Sequence, residues 1–298
     1  MWGKKDRIDR IVLREFWLSS KEIEDLIQEK NNNDFLNQYR WALSLYTEFI
    51  ADTKHKVIVT LDGRDTAWKW SNIKRITEYW KESMWDTSVY WIPTADERFE
   101  HNWFDRYAIR FPEESKTTLY DRSWYNRAFV EPAMWFCTEQ EYDWFMEHVN
   151  EFEKEQIIDA GIHFIKVYLS IWKETQKERL RRRDSDMRWR KSSQIDAQAQ
   201  EKWNFYTLAK IKALELTDTD IASWTVVDST EKFLSATEII KKIILTSDEV
   251  SQLVQSRLSI DLSPNLDIVR TWLQELKRMK RTWDIWRAKS EFVFADSI

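Results

Sequence analysis

The segment KVIVTLDGRDTAWKWS occupies residues 56–71 and sets the architecture expected for the whole chain. Its first part, Lys56–Leu61, is a short apolar and β-branched run between polar residues, which is typical of a buried parallel strand. Helical sequence is predicted from Ser71 to Lys81. A strand, a polar loop and a helix in this order predict the first unit of an α/β domain.

The loop of this unit would be a phosphate-binding loop if both of its tryptophans were glycine. GRDTAWKWS at residues 63–71 would then read GRDTAGKGS, in the strand–loop–helix context that such a loop requires. There, backbone N–H groups converge on a phosphate at a helix N-terminus, and a lysine adds positive charge. Lys69 is the predicted lysine, but Trp68 precedes it where glycine is required. A strand-to-helix turn without a ligand is the alternative for this segment alone.

The alternation of strand-like and helix-like sequence continues along the chain. Strands that alternate with helices predict an α/β fold with a parallel sheet and helices on both faces. Such sheets bind ligands beyond the carboxyl ends of their strands, and Asp65 and Asp121 each follow such an end. The other predicted strands are Thr117–Tyr120, Ile162–Leu169 and Trp224–Val227, with helices at 34–52, 139–158, 196–215 and 231–245.

Three segments differ in composition. Residues 1–33 are expected to form a polar helical extension that ends at the helix breaker Asn31-Asn32-Asn33. Residues 34–246 form the predicted α/β domain. Residues 247–298 are a charged helical appendage with a helix expected over Val269–Arg287, and the sequence does not indicate its role.

Composition restricts the class of protein. The chain of 298 residues is 43% hydrophobic and 33% charged, which describes a soluble globular protein. No apolar run approaches the ~20 residues of a membrane helix, and the charged start predicts no secretory signal. The single cysteine, Cys137, cannot form an internal disulfide, and the four histidines lack metal-ligand spacing. A cytoplasmic protein without a membrane partner is expected.

A second motif begins where the predicted strand ends at Asp121. Residues 121–128 read DRSWYNRA, which strongly resembles the same motif of family-2 polyphosphate kinases. The resemblance implies a P-loop kinase-like parallel sheet with helices on both faces and a helical basic lid. It extends in order over residues 36–245 through DGRD at 62–65, IKRITE at 73–78, VEPAMWFCT at 130–138, RWRKS at 188–192 and SWTVV at 223–227.

The resemblance implies reversible, Mg²⁺-dependent phosphoryl transfer between polyphosphate and a nucleotide, with a nucleoside diphosphate as the expected acceptor. The catalytic residues would be Asp65, Lys69, Asp121 and Arg122. A carboxylate in an anion-binding loop needs a cation beside it, so the two aspartates are the expected Mg²⁺ ligands. The alternative for Asp65 and Asp121 is that they are ordinary helix N-caps. The alternative for Arg122 and Arg127 is that they form surface salt bridges. The expected phosphate- and nucleotide-binding residues are Gly63, Arg64, Thr66, Ala67, Trp68, Trp70, Ser71, Asn126 and Arg127.

A basic segment at residues 173–191 occupies the position of a kinase lid. Its nine basic and four acidic residues leave a charge of +5 in a chain whose total is −5. A polyanionic substrate accounts for a positive lid on an acidic protein. A solvated helix face and a nucleic-acid patch are the alternatives. The expected polyphosphate-binding lid residues are Lys74, Arg75, Arg179, Arg182 and Arg183.

The balance of tryptophan and glycine is abnormal. The chain has 19 tryptophans and 3 glycines, whereas the average glycine content of ~7% corresponds to about 21. Trp68, Trp70 and Trp135 lie where the family has glycine, whereas Trp124 and two others lie where it has tryptophan. If UGA encodes glycine in the source, as in some bacterial lineages, translating it as tryptophan produces this pattern. A genuinely tryptophan-rich homologue with a lost phosphate loop is the alternative.

Two other functions stay open at the level of sequence. An ATP-dependent nucleotide kinase of the same fold would not use polyphosphate. A non-catalytic phosphate-binding scaffold would result if Trp68 and Trp70 are the native residues. The expected partners are polyphosphate and nucleotides of the ADP or GDP type, without nucleic acid. A homo-oligomer is also expected, because subunits of this family commonly associate.

Overall fold

One six-stranded sheet organises the chain in the computed structural model, which describes residues 19–90, 93–185 and 198–282. The strand order is β2-β3-β1-β4-β5-β6; the first five strands are parallel, and β6 runs antiparallel to β5. The predicted α/β class and parallel sheet are confirmed. The strands are β1 (Lys56–Gly63), β2 (Trp85–Val89), β3 (Thr117–Asp121), β4 (Ile162–Ser170), β5 (Trp224–Asp228) and β6 (Val269–Arg270).

Helices cover both faces of the sheet. Val57 and Val59 of β1 face a core with α1, α2 and α9, whereas Ile58 between them faces an aromatic core with α3, α6 and α8. This alternation is the two-residue period of a strand that is buried on both faces. The α-helices in the described ranges are α1 (Ser20–Thr53), α2 (Lys69–Thr77), α3 (Glu100–Ala108), α4 (Asn126–Phe129), α5 (Glu131–Met134), α6 (Glu139–Glu153), α7 (Lys173–Ser185), α8 (Trp203–Thr217), α9 (Lys232–Ile244), α10 (Asp248–Leu258) and α11 (Trp272–Arg281).

Helix α1 passes through the predicted breaker, so the expected helix end at Asn31-Asn32-Asn33 is wrong. The helix begins at a capping box on Ser19, and its buried face includes Ile27 before the asparagines and Leu36 after them. Burial of this continuous apolar face outweighs the weak helix propensity of three asparagines. Residues 1–18 of the predicted extension lie outside the described residues.

The C-terminal segment is joined to the same sheet and cores. Strand β6 extends the sheet beyond β5, and Trp272 of α11 lies in the aromatic core. The buried carboxylate of Glu275 pairs with Lys210 of α8. Because Thr271 caps α11, the predicted helix begins at Trp272 and not at Val269. Within the described ranges, no helix has the length and apolar character needed to cross a bilayer.

Candidate active site

The two sequence motifs meet at the carboxyl ends of β1 and β3. The strands pair in parallel, with Leu61 opposite Asp121, and the Arg122 N–H donates to the Leu61 carbonyl at 3.1 Å. The loop after β1 and the loop after β3 therefore begin side by side. This is the edge at which parallel α/β sheets bind ligands.

Asp62 connects these two loops, a contact that the sequence did not indicate. Its carboxylate accepts a hydrogen bond from Ser123 Oγ at 2.7 Å and another from the Ser123 N–H at 3.2 Å. Burial raises the pKa of Asp62 to about 6, although the Ser123 hydrogen bonds and Lys69 oppose this rise. The sequence did contain a signal for a buried partner of Asp62. Its carboxylate directly precedes the loop glycine at the end of a buried strand, where an acid without a partner is rare.

Gly63 is required by packing against the neighbouring strand. Its φ is 142°, and a Cβ built on it would lie 2.4 Å from the carbonyl oxygen of Leu169 in β4. A side chain cannot fit there without moving the backbone. The Gly63 carbonyl instead accepts a hydrogen bond from Lys69 Nζ at 3.0 Å, so the residue is part of the loop through its main chain.

Lys69 folds back over the loop. Its buried Nζ donates to the carbonyls of Gly63 and Arg64, both at 3.0 Å. Burial, together with repulsion from Arg122, lowers the pKa of Lys69 to about 8, while Asp121, Asp65 and Asp62 favour its charged form. The Lys69 ammonium group thus lies against the loop carbonyls and near three aspartates, two of which were predicted site residues.

Asp65 and Arg122 form an ion pair between the two loops. Burial opposes ionisation of Asp65, but Arg122 and Lys69 hold its pKa below the usual value. Asp121 acts electrostatically on the same two basic residues, Lys69 and Arg122. The structure therefore brings together the four residues predicted to be catalytic. At this edge of the sheet, the first motif contributes Asp65 and Lys69, and the second motif contributes Asp121 and Arg122.

Two arginines predicted to bind phosphate have other partners in the structure. The Arg64 guanidinium stacks 3.6 Å from the ring centroid of Trp203 and donates to Thr207 Oγ1 of α8 at 2.6 Å. Arg127 is buried, and its Nε donates to Glu131 at 2.7 Å. Burial of these side chains requires partners inside the protein, and neighbouring helices supply them. Asn126, within the second motif, is the first residue of α4, and its predicted place near the nucleotide phosphates stays a prediction.

The tryptophans in the family's glycine positions include two with left-handed backbone. Trp68 is the N-cap of α2 with φ 64°, and Trp135 follows α5 with φ 59°. The predicted positive φ at residue 68 is confirmed. A bulky residue rarely adopts this conformation, and glycine adopts it without steric cost. Trp70 differs, because it lies in the first turn of α2 and is exposed.

The ring of Trp68 contacts two basic side chains. Its centroid is 4.8 Å from the Arg179 guanidinium carbon and 5.3 Å from Lys232 Nζ. Lys232, the first residue of α9, was not predicted as a site residue. Trp68 thus adds a cation–π contact with two basic side chains beside the loop, and glycine would lack this contact.

The predicted lid residues lie on two helices, α2 and α7. Lys74 and Arg75 lie on α2, where Lys74 contacts the Trp70 ring and Arg75 donates to the backbone. Arg182 pairs with Glu178 on the exposed side of α7. Arg183 lies close enough to lower the pKa of Asp65.

Arg179, which was also assigned to the lid, contacts the phosphate loop. It donates to backbone carbonyls, including that of Thr66 in the loop, because it lies on the inward side of α7. In this structure its hydrogen bonds hold the loop, and its binding to polyphosphate stays a prediction. The remaining basic residues at 186–191, with the RWRKS motif, lie outside the described residues.

The donor set at the two strand ends fits Mg²⁺. In kinase-type sites, Mg²⁺ is bound by one or two carboxylates and completed by water and substrate phosphates. Asp65 and Asp121 provide two hard oxygen donors beside the loop. Among the described residues, no cluster of three or more His, Cys, Asp or Glu side chains could hold a metal by protein ligands alone. A site shared with substrate phosphate is therefore the arrangement that fits these residues.

Comparison with known proteins identifies the family. Residues 26–253 match the family model described as polyphosphate kinase 2 (PPK2). The chain belongs to the polyphosphate kinase 2 family. The matched range includes β1 through α9, and therefore both loops of the site. The resemblance seen in the two sequence motifs is confirmed.

Individual relatives agree with this assignment. An ADP-polyphosphate phosphotransferase of Pseudomonas aeruginosa is 36% identical over 187 residues, which are 62% of this chain and 60% of that protein. A GDP-polyphosphate phosphotransferase of Mycobacterium tuberculosis is 36% identical over 194 residues, or 65% of each chain. The chain thus spans less than two thirds of the length of these relatives. The crystal structure of polyphosphate kinase 2 from Arthrobacter aurescens TC1 has the same fold, with a TM-score of 0.65 and 23% identity over 75% of this chain and 80% of that one.

Proposed function

We propose that this PPK2-family chain transfers phosphoryl groups reversibly between inorganic polyphosphate and a nucleotide. The observation that carries the proposal is the convergence of Asp65, Lys69, Asp121 and Arg122 at the adjoining ends of β1 and β3. Two carboxylates and two basic groups beside a helix N-terminus suit the binding and alignment of phosphates. No covalent intermediate on the protein is needed for transfer of this kind.

Each residue has a distinct part in this proposal. Asp65 and Asp121 would hold Mg²⁺, which supplies charge neutralisation on the transferring phosphoryl group when bound. Lys69 and Arg122 bind phosphate oxygens, and Arg122 can do so with two parallel hydrogen bonds. Asp65 would also orient the acceptor phosphate. The present Lys69 and Arg122 contacts occupy these donors until a phosphate replaces them.

A nucleoside diphosphate is the proposed acceptor. The relatives named above are an ADP- and a GDP-polyphosphate phosphotransferase, and both names specify a diphosphate. The DRSWYNR form of the second motif supports the same choice. The expected product is the corresponding nucleoside triphosphate, with the polyphosphate chain shortened by one unit.

The choice of donor tests the proposal against an ATP-dependent kinase of the same fold. The assay uses a variant with Trp68→Gly and Trp70→Gly, called the glycine parent below, because Trp68 lies in a glycine-type conformation. With long-chain polyphosphate as sole donor, the glycine parent is expected to convert ADP or GDP to the triphosphate. Transfer from ATP to a nucleotide with no turnover of polyphosphate would contradict the proposal and establish the alternative.

Neutralising the lid is expected to weaken polyphosphate binding selectively. In the glycine parent, Arg182→Gln with Arg183→Gln should raise the KM for polyphosphate and change the KM for the nucleoside diphosphate less. Removing charge weakens a partner with many phosphates most, and added salt should reduce the difference. Initial rates at two ionic strengths measure the effect. Equal changes in both KM values would show that these arginines are not part of a polyphosphate track.

A further inference from the structure

Side chains outside the loop hold three of its successive carbonyl oxygens. These oxygens belong to residues 65–67, and each accepts one hydrogen bond from a different side chain. In chain order the donors are Gln176 Nε2 at 3.1 Å, Arg179 Nη1 at 2.7 Å and Ser229 Oγ at 2.7 Å. We call Gln176, Arg179 and Ser229 the outer clamp. It joins the loop to α7 and to the turn after β5.

The outer clamp is itself fixed in place. Gln176 and Ser229 are almost fully buried, at 1% and 0% exposure. Gln176 accepts a hydrogen bond from Gln200 at 2.7 Å. Arg179 also donates to the carbonyls of Ser229 and Thr230, at 2.7 and 2.8 Å. Because the donors have little freedom, they restrict where the loop carbonyls can point.

The direction of the carbonyls determines the direction of the loop N–H groups. In a trans peptide the C=O and the following N–H point to opposite sides. Holding carbonyls 65–67 outward therefore turns the N–H groups of Thr66 and Trp68 inward, while that of Ala67 donates to the Arg64 carbonyl at 3.2 Å. Thr66 and Trp68 both have φ 64°. Such conformations persist in non-glycine residues only when the surroundings hold them.

We propose that Gln176, Arg179 and Ser229 are positioning residues that hold the phosphate loop in its binding conformation before substrate arrives. This rests on the proposed function, because it takes the loop as the place where phosphate binds. If the loop is in its binding conformation for only a fraction of the time, the apparent affinity for phosphate is reduced by that fraction. Loss of the clamp therefore lowers affinity for phosphate substrates without removing a group that touches them.

Hydrogen exchange tests the clamp without any chemistry. The variants are Gln176→Leu, Arg179→Met and Ser229→Ala, in the chain as it stands and in the glycine parent. Backbone amides of the loop, with that of Ala67 as the reporter, are expected to exchange about tenfold faster in each variant. Arg181→Met is the matched control, because Arg181 lies on the same helix and pairs with Glu178 at the surface. It removes the same charge and should leave loop exchange unchanged.

Binding of inorganic tripolyphosphate to the glycine parent is the second measurement. Calorimetry should give a Kd that is about tenfold higher in each of the three clamp variants. Arg179→Lys should recover part of the loss, since it retains one donor. Gln176→Leu and Ser229→Ala remove no charge, so a fall in their affinity cannot come from lost attraction to the ligand. A smaller folded fraction would change the number of sites but not the Kd.

The outcomes separate the clamp from the proposed function. Unchanged loop exchange and unchanged tripolyphosphate affinity in Gln176→Leu and Ser229→Ala would overturn the clamp, even if Arg179→Met fails to fold. If the clamp variants respond as expected but the glycine parent transfers no phosphate, the clamp stands and the proposed transfer activity fails.

Discussion

The Trp68→Gly, Trp70→Gly protein is expected to transfer phosphate at least about a hundredfold faster than the unaltered chain, since one well-placed donor is worth that much in comparable sites. Trp68 has a left-handed backbone at the start of α2, and its indole lies against Arg179 and Lys232. Glycine relieves the strain and removes the indole contact with both cations, while Arg179 keeps its hydrogen bonds to the loop and to the turn after β5. It also clears the helix N-terminus, where backbone N–H groups must meet phosphate. Rates of triphosphate formation from polyphosphate measure the gain.

A tryptophan outside the site provides the matched control. Trp41 is 68% exposed and lies within α1, where a left-handed backbone is not required. Trp41→Gly should therefore give no gain in activity and should destabilise the helix by about 1 kcal/mol. Full activity in the chain with both Trp68 and Trp70 would contradict this account of the loop.

The recoding hypothesis makes a prediction about the native protein. If UGA encodes glycine in the source, mass spectrometry of protein from that host should show glycine at residues 68, 70 and 135. The left-handed backbone at Trp68 and Trp135 supports glycine at these two positions. Trp70 lies in a helix, where its backbone gives no reason to expect glycine. The expectation of glycine at residue 70 therefore depends on the family motif and on the space that phosphate needs. Tryptophan at all three positions would rule out recoding and favour the scaffold alternative.

Loss of either acidic residue should remove most of the activity of the glycine parent. Asp65→Asn or Asp121→Asn is expected to lower kcat by a factor of about 10² or more. Each change keeps the size of the side chain but removes a negative charge that would hold Mg²⁺. Steady-state kinetics at saturating Mg²⁺, together with thermal unfolding to verify the fold, measure the effect.

Asp159→Asn is the control for this pair. Asp159 pairs with Lys154 at the surface, so its replacement should leave kcat within about twofold. Near-normal turnover in Asp65→Asn or Asp121→Asn would exclude that residue from the metal site.

The sequence predicted the path of the main chain around the site well. The apolar run of β1, the polar loop and the helix lie as expected, and Asp65 and Asp121 follow adjoining strand ends. These features depend on local patterns: hydrophobic run length, loop motifs and the order of elements. The short edge strand β2 was missed, because its partly exposed residues lack a continuous apolar run.

The contacts that individual side chains make within the protein could not be predicted from the sequence. Arg64 contacts Trp203 and Thr207, and Arg127 contacts Glu131, partners that the sequence did not indicate; their binding to phosphate stays a prediction. The link from Asp62 to the second loop and the outer clamp were also missed. Such contacts join segments far apart in sequence, and local patterns do not specify them. Tertiary packing likewise explains why α1 continues through three asparagines.

Phosphorus NMR of one reaction tests the central claim most directly. The mixture contains the glycine parent, long-chain polyphosphate, GDP or ADP, and Mg²⁺, with no other phosphate donor. The account predicts that γ-phosphate signals of the nucleoside triphosphate grow as internal polyphosphate signals decline in equal amount, and that Asp65→Asn abolishes both changes. A folded glycine parent that binds tripolyphosphate but produces no triphosphate signal would contradict it.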